Sequence, residues 1–68
     1  MRDGILYLRE GTIPEEYEEY NILKNAGIQF DIVYIRGLKF PEFEDYEHNI
    51  YISNDIVRYA KWRSDVNL

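Results

Sequence analysis

The chain contains no cysteine, a single histidine and only eight basic residues among its 68. Without cysteine it can form no disulfide and no thiolate zinc site, and it cannot carry out thiol redox chemistry. No apolar run approaches the roughly 20 residues of a membrane-spanning helix, and the opening Met1–Gly4 lacks the basic and then apolar pattern of a secretory signal. We therefore expect a cytoplasmic protein that does not enter a membrane.

Basic residues are also outnumbered, because 13 acidic residues give the chain a formal net charge of -5. Neutralising the phosphates of a nucleic acid requires clustered lysine and arginine, so direct nucleic-acid binding is not expected. Most of the acids fall in two segments, 10–19 and 42–47. Such an uneven distribution keeps many small proteins soluble, and this remains one interpretation of it.

The residues that are present favour a folded domain. The chain is 46% hydrophobic and 16% aromatic, which is too apolar for a disordered segment. Its length suffices for one domain, residues 1–68, near the lower limit of independent folding.

The first half of the chain has the pattern of a strand, a helix and a second strand. Ile5–Leu8 is a short apolar run that predicts a central strand covered on both faces, and Phe30–Ile35 predicts the second strand. Thr12 and Glu15 have the spacing of a capping box, so a helix is expected to begin there, and Gly27 is expected to end it. The predicted apolar face of this helix comprises Ile13, Tyr17, Tyr20, Leu23 and Ala26. Short links between these elements predict that the two strands are parallel neighbours.

The second half of the chain allows two interpretations. In one, Glu42–Tyr46 and Asn49–Ile52 form an antiparallel hairpin that turns at Glu47-His48. In the other, Ile32–Phe43 forms a single hairpin that turns at Arg36-Gly37. The final helix is predicted to be capped by Ser53 or Asn54, with an apolar side made of Ile56, Val57, Ala60 and either Tyr59 or Trp62.

Four segments occupy distinctive places in this order. Tyr7–Gly11 lies where the first strand ends, Thr12–Glu15 lies in the turn before the first helix, Phe40-Pro41 precedes the hairpin, and Ser53–Asp55 precedes the last helix. The set resembles the glutaredoxin branch of the thioredoxin fold, in which the same places hold the strand end, a C-x-x-C turn, a cis-proline dipeptide and a helix cap. The resemblance implies an α/β (α+β) domain of order β-α-β-β-β-α, with a four-stranded mixed sheet and two helices on one face.

The chain also departs from that family. Thr12 and Glu15 stand at the two cysteine positions, and thiol exchange requires a thiolate, so the redox activity of the family cannot be transferred. The resemblance still implies a vestigial ligand site for glutathione or another small molecule, formed by Thr12, Phe40, Pro41 and Asp55. No cofactor is expected.

A second departure concerns the link between the second strand and Phe40. Only Gly37–Lys39 occupies a place where the family has a helix that covers one face of the sheet. That face should therefore be open, although both predicted strands carry apolar residues on both sides. An uncovered apolar face usually marks an interface, so we expect a homodimer or docking to another protein. The alternative is a monomer whose tyrosine hydroxyls make the face tolerable to water.

The sequence offers little for catalysis. His48 lies among Glu44, Asp45 and Glu47, but this irregular spacing is weak evidence for a metal site and is typical of a solvated turn. The chain has no phosphate-binding glycine loop and no nucleophile elbow. We therefore expect a protein that is not an enzyme.

The leading hypothesis is a redox-inactive, non-catalytic protein-interaction module, of viral or mobile-element origin, that acts on a host protein. The residues expected to bind the partner are Glu15, Glu16, Glu18, Glu19, Tyr7, Tyr34, Glu42, Glu44 and Asp45. An alternative hypothesis is an acidic DNA mimic that inhibits a nucleic-acid-binding enzyme, in which the carboxylates of the same set imitate phosphates.

Overall fold

The computed structural model describes residues 2–66, which form a mixed α+β fold with one four-stranded sheet. Its elements are β1 (Gly4–Arg9), a 3₁₀ turn (Pro14–Glu16), α1 (Glu18–Asn25), β2 (Phe30–Ile35), β3 (Glu42–Asp45), β4 (Ile50–Ile52) and α2 (Asn54–Val66). This order confirms the predicted β-α-β-β-β-α sequence.

The strands lie in the order β2-β1-β3-β4. β1 is parallel to β2, with Gly4 opposite Phe30, and antiparallel to β3, with Leu6 opposite Phe43. β3 and β4 form an antiparallel hairpin. The parallel pair and the hairpin are therefore confirmed. The competing hairpin through Arg36-Gly37 is wrong, because the chain crosses there from β2 to the far side of β1.

The predicted capping box at the first helix does not form. The Thr12 hydroxyl donates a hydrogen bond to the Arg9 carbonyl at 2.6 Å and so stabilises the end of β1 instead. Ile13, predicted to face the core, is 57% exposed. The segment after it forms the 3₁₀ turn rather than the first turn of α1.

α1 begins later because the backbone of Tyr17 is extended, with φ -94° and ψ 129°. The Asn21 side-chain amide stabilises this break by donating to the carbonyls of Glu15 and Tyr17, at 2.9 and 3.0 Å. The side-chain amide thus satisfies the Glu15 carbonyl, which a continuous helix would have paired with its own backbone, while the Tyr17 carbonyl also accepts the Asn21 backbone N–H at 3.2 Å.

The end of α1 agrees with prediction. Gly27 has φ +77°, a left-handed conformation that glycine adopts without strain. The Ile28 N–H donates to the Leu23 carbonyl at 3.1 Å, and the Gly27 N–H donates to the Lys24 carbonyl at 3.0 Å. This is the Schellman motif, in which the residue after the glycine returns to the core. Ile28 is accordingly buried.

The core lies on one side of the sheet. Its buried members are Leu6, Leu8, Leu23, Ile28, Phe43, Ile56, Tyr59 and Ala60. Leu6 and Leu8 point to one face of β1, because side chains alternate along a strand. Residues of both helices pack against them in this cluster, so both helices lie on that face. The expectation that β1 is covered on both faces is therefore wrong, although its central position is confirmed. On α2, Tyr59 is the buried aromatic and Trp62 is 58% exposed.

Candidate functional site

Two polar groups of the predicted vestigial ligand site are hydrogen-bonded to other parts of the chain. The Thr12 hydroxyl is bound to Arg9, and the Pro41 carbonyl accepts the Ser53 N–H at 3.1 Å. Phe40 is 60% exposed, and Asp55 lies on the surface at 3.7 Å from Arg58. No peptide bond among residues 2–66 is cis, so Phe40-Pro41 lacks the geometry of the family's proline dipeptide.

An open cavity of about 780 Å³ lies where the start of β1, the β3–β4 turn and the end of α2 meet. Its walls include Tyr46, Tyr51, Tyr59 and Trp62. Arg63 donates to the Tyr59 hydroxyl at 2.6 Å and to the Asp3 carboxylate at 3.1 Å. Arg63 and Asp3 therefore hold the end of α2 to the start of β1.

Asp45 lines the same cavity and is 5% exposed. Its carboxylate accepts the backbone N–H groups of Glu47 and Asn49, both at 2.9 Å, and the Asn49 side-chain amide at 3.2 Å. Burial opposes its ionisation, but these hydrogen bonds outweigh that effect and lower the pKa of Asp45 below its ordinary value. Asp45 stabilises the β3–β4 turn and exposes little surface, so its place in an acidic binding surface stays a prediction that its burial does not favour.

The same hydrogen bonds predict how the stability of the domain depends on pH. Asp3 also has a lowered pKa, because the Gln29 N–H and Arg63 outweigh its burial. Each group has a folded-state pKa below 3.8, its ordinary value, so the unfolded chain binds protons first as the pH falls. Urea unfolding should therefore show stability that is constant above about pH 5 and declines as the pH falls further.

The stability of the Asp45→Asn variant should depend less on pH below about pH 5. Its stability near neutral pH should be lower than that of the wild-type protein, because the ionised acceptor is lost. The matched control is Glu10→Gln, which removes an exposed carboxylate from a turn and should preserve the pH profile. If the stability of Asp45→Asn declined with falling pH as steeply as that of the wild-type protein, the Asp45 carboxylate would not be stabilised by the β3–β4 turn in the folded state.

The remaining predicted acids lie on two different sides of the sheet. Glu18, which is exposed, and Glu19, which is half-buried, begin α1 on the side covered by the helices, and the exposed Glu15 and Glu16 lie in the 3₁₀ turn that leads into α1. Glu42 and Glu44 lie on β3 beside Phe43, whose side chain faces the helices, so their own side chains face the opposite way. The structure thus does not bring the predicted acids to one surface.

The face of the sheet opposite the helices is uncovered, and we call it the open face. It consists of Ile5, Tyr7 and Arg9 of β1, Asp31, Val33 and Ile35 of β2, Glu42 and Glu44 of β3, and Ile50 and Ile52 of β4. Val33, Ile35, Ile50 and Ile52 are between 38% and 51% exposed. Tyr34, predicted to act with Tyr7, lies opposite Leu8 in the register and therefore on the helix side, where it is 45% exposed.

A carboxylate is fixed at the centre of the open face. The Tyr7 hydroxyl donates to one oxygen of Glu44 at 2.9 Å, and His48 Nδ1 lies 2.7 Å from the other. The contact with His48 and the Tyr7 hydrogen bond lower the pKa of Glu44, and the same hydrogen bond raises the pKa of the Tyr7 phenol. The open face therefore carries a negative charge that two neighbours hold in place, between Ile5 of β1 and Ile50 of β4.

His48 lies in the predicted turn, with φ +68° and an exposed side chain. Within residues 2–66, no group of three or more histidine, aspartate or glutamate residues is arranged to hold a metal ion. Sequence reasoning missed Ile50 and Ile52 as members of the open face. Their alternation with Tyr51, which packs towards the core, is the signal that could have identified them.

Comparison with models of known families, with curated proteins and with solved structures gave no match. None of the helices within residues 2–66 combines the length and the apolar character needed to cross a membrane. The interpretation of the site therefore depends on the geometry of this chain alone.

Proposed function

We propose that this domain is a non-catalytic protein-interaction module that binds its partner through the open face. The observation that supports this function is the exposure of four aliphatic side chains, Val33, Ile35, Ile50 and Ile52, on a face that neither helix covers. Exposed apolar side chains gathered on one uncovered face, next to polar groups, are typical of a surface that another molecule binds.

The central carboxylates indicate the chemistry of the partner. Glu42 and Glu44 stand between the aliphatic residues of β4 and those of β1 and β2. A complementary surface therefore presents apolar side chains around an arginine or lysine that reaches these carboxylates. The net charge of -5 would also accelerate encounter with such a basic partner at low salt.

A peptide selection tests this proposal. Random peptides displayed on phage are selected against the immobilised protein, and the recovered peptides are expected to place arginine or lysine among aliphatic or aromatic residues. Their affinity is then measured by isothermal titration calorimetry against the double variant Glu42→Gln/Glu44→Gln. Loss of the buried charge partners is expected to weaken binding about tenfold or more.

The matched control is Glu15→Gln/Glu16→Gln, which makes the same chemical change on the helix side of the molecule. Peptides that depend on Glu15 and Glu16 instead, or a selection that yields no peptide dependent on the open face, would contradict the proposal.

The alternative functions have less geometric support. A DNA mimic requires its carboxylates on one surface, whereas these acids are divided between two sides of the sheet and Asp45 is buried. A glutathione site around Thr12 and Pro41 would use groups that are already hydrogen-bonded to the chain itself. Both remain predictions, as do the viral origin, the cytoplasmic location and the absence of catalysis.

We further propose that the domain is a glutaredoxin-like fold that lacks the redox motif. The support is its element order, its parallel first pair of strands, its antiparallel hairpin and its two helices on one face. Two structural features depart from that family: the trans bond at Phe40-Pro41 and the link between β2 and β3, which contains no helix.

A further inference from the structure

β2 lies at one edge of the sheet, with β1 beside it. The carbonyls of Gln29 and Ile35 accept hydrogen bonds from the N–H groups of Asp3 and Glu10, at 2.6 and 3.0 Å. The backbone at odd-numbered positions of this segment therefore faces β1. Because this direction alternates along a strand, the N–H and C=O groups of the even-numbered positions, 30, 32 and 34, point away from the sheet. Within residues 2–66, no strand lies against them.

The two edges of the sheet differ in how they are protected. β4 has three residues, Ile50–Ile52, and is followed by Ser53, whose φ of +50° turns the chain away from an extended course. β2 has six residues, Phe30–Ile35, with one charged side chain, Asp31, and no proline. Proteins protect exposed edges by making them short or by placing charges and prolines along them, and β2 has little of either protection.

We propose that β2 pairs with β2 of a second copy of this chain. The two strands run antiparallel about a two-fold axis that passes through Ile32 and stands perpendicular to the sheet. The pairing joins two four-stranded sheets into one, with the helices of both copies on the same side. This inference goes beyond the proposed function, because it uses the edge of the sheet rather than its open face.

The side chains of β2 suit this register. Ile32 lies opposite its own counterpart, and Phe30 lies opposite Tyr34 of the second copy, which gives a favourable aromatic pair at each end. All the outward-facing backbone groups of Phe30, Ile32 and Tyr34 are then satisfied, by about six hydrogen bonds between the chains. Tyr34, now 45% exposed, would be covered by the second copy.

The neighbouring registers are less favourable. An axis through Asp31 would place that carboxylate opposite its own counterpart, and like charges directly opposite one another are destabilising. An axis through Val33 would place Phe30 opposite Arg36, which lies in the turn beyond the end of β2. The axis through Ile32 places Asp31 opposite Val33 and avoids both problems.

Hydrogen exchange and sedimentation test the pairing together. Sedimentation equilibrium of the wild-type protein from micromolar to millimolar concentration is expected to show a monomer–dimer equilibrium. By NMR, the amide protons of residues 30, 32 and 34 should exchange rapidly in the dilute monomer and become protected as the dimer forms. The amides of residues 31, 33 and 35, which face β1, provide an internal control and should be protected at both concentrations.

Variants test the hydrogen bonds and the register. Tyr34→Pro removes an outward-facing N–H without disturbing the ladder to β1, so it should abolish the dimer while the monomer stays folded. Val33→Lys and Val33→Glu alter the same position with opposite charge, and only the proposed register places that position opposite Asp31. The dimer of Val33→Lys should have a dissociation constant about tenfold lower than that of Val33→Glu. Asp31→Lys combined with Val33→Glu should restore the affinity that Val33→Glu alone loses.

A protein that remains monomeric at millimolar concentration would overturn this inference. So would a dimer that forms equally well in Tyr34→Pro and does not distinguish Val33→Lys from Val33→Glu. Neither result would bear on the proposed function, because peptide binding at the open face is measured separately through Glu42 and Glu44.

Discussion

Replacing Phe43 with alanine is expected to remove a large part of the free energy of unfolding of the domain. Phe43 is fully buried and stands at the centre of the core. Its ring meets that of Phe30 edge-on at 6.3 Å and lies 5.3 Å from that of Tyr59. Truncating a buried phenylalanine costs about 3–5 kcal/mol, and a domain of this size has a total stability of about 3–10 kcal/mol.

Urea unfolding followed by circular dichroism measures the loss. The matched control is Phe40→Ala, the same chemical change at a side chain that is 60% exposed, and it should alter stability by less than about 0.5 kcal/mol. The variant Phe43→Leu should be intermediate and remain folded. Equal stability of the two alanine variants would be incompatible with the core described above.

Replacing Gly4 with alanine should produce the second large loss of stability. A β-carbon at this position would collide with the Glu44 carbonyl oxygen and would lie 2.6 Å from Cζ of the buried Phe43. Neither neighbour can yield, because one belongs to the backbone of the adjacent strand and the other to the packed core. Overpacking of this kind costs about 1–3 kcal/mol, and more where backbone must move.

The control for this variant is Gly37→Asn. Gly37 has open space around it, and its φ of +75° is a conformation that asparagine tolerates better than most residues, so the change should cost little. Thermal unfolding of the two variants compares them directly. A Gly4→Ala protein as stable as wild type would show that β1 and β3 do not approach this closely.

Local patterns predicted the elements whose own residues determine them. The bounds of β2 were predicted correctly because Phe30–Ile35 is a compact run of β-branched and aromatic residues. The end of α1 was predicted because Gly27 and Ile28 form a local motif. The start of α1 was predicted wrongly. The Thr12 hydroxyl binds the Arg9 carbonyl and the Asn21 amide binds the Glu15 carbonyl, and the sequence pattern indicated neither hydrogen bond.

The candidate site was predicted less well, because it depends on how strands pair. A period of two places Tyr34 on one side of β2, but only the register with β1 shows that this is the side of Leu8 and the helices. Asp45 is an acidic residue, as are Glu42, Glu44 and Glu47 around it, and the charge pattern does not distinguish it from them. Its burial follows from a turn that brings two backbone N–H groups to its carboxylate, and a list of residue types does not contain that information.

The open face itself was predicted from the short link at Gly37–Lys39, because a missing covering element can be inferred from chain length. The aliphatic residues of β4 extend the face further than the first two strands alone indicated. The proposed function requires that a partner binds to this face.

NMR methyl shifts measured during titration with a selected peptide test that point most directly. Binding at the open face should shift the methyl signals of Val33, Ile35, Ile50 and Ile52 as the peptide saturates the protein, while those of the core residues Leu23 and Ile56 should stay in place. Shifts confined to the helix side of the molecule, with the methyl signals of the open face unchanged, would contradict it.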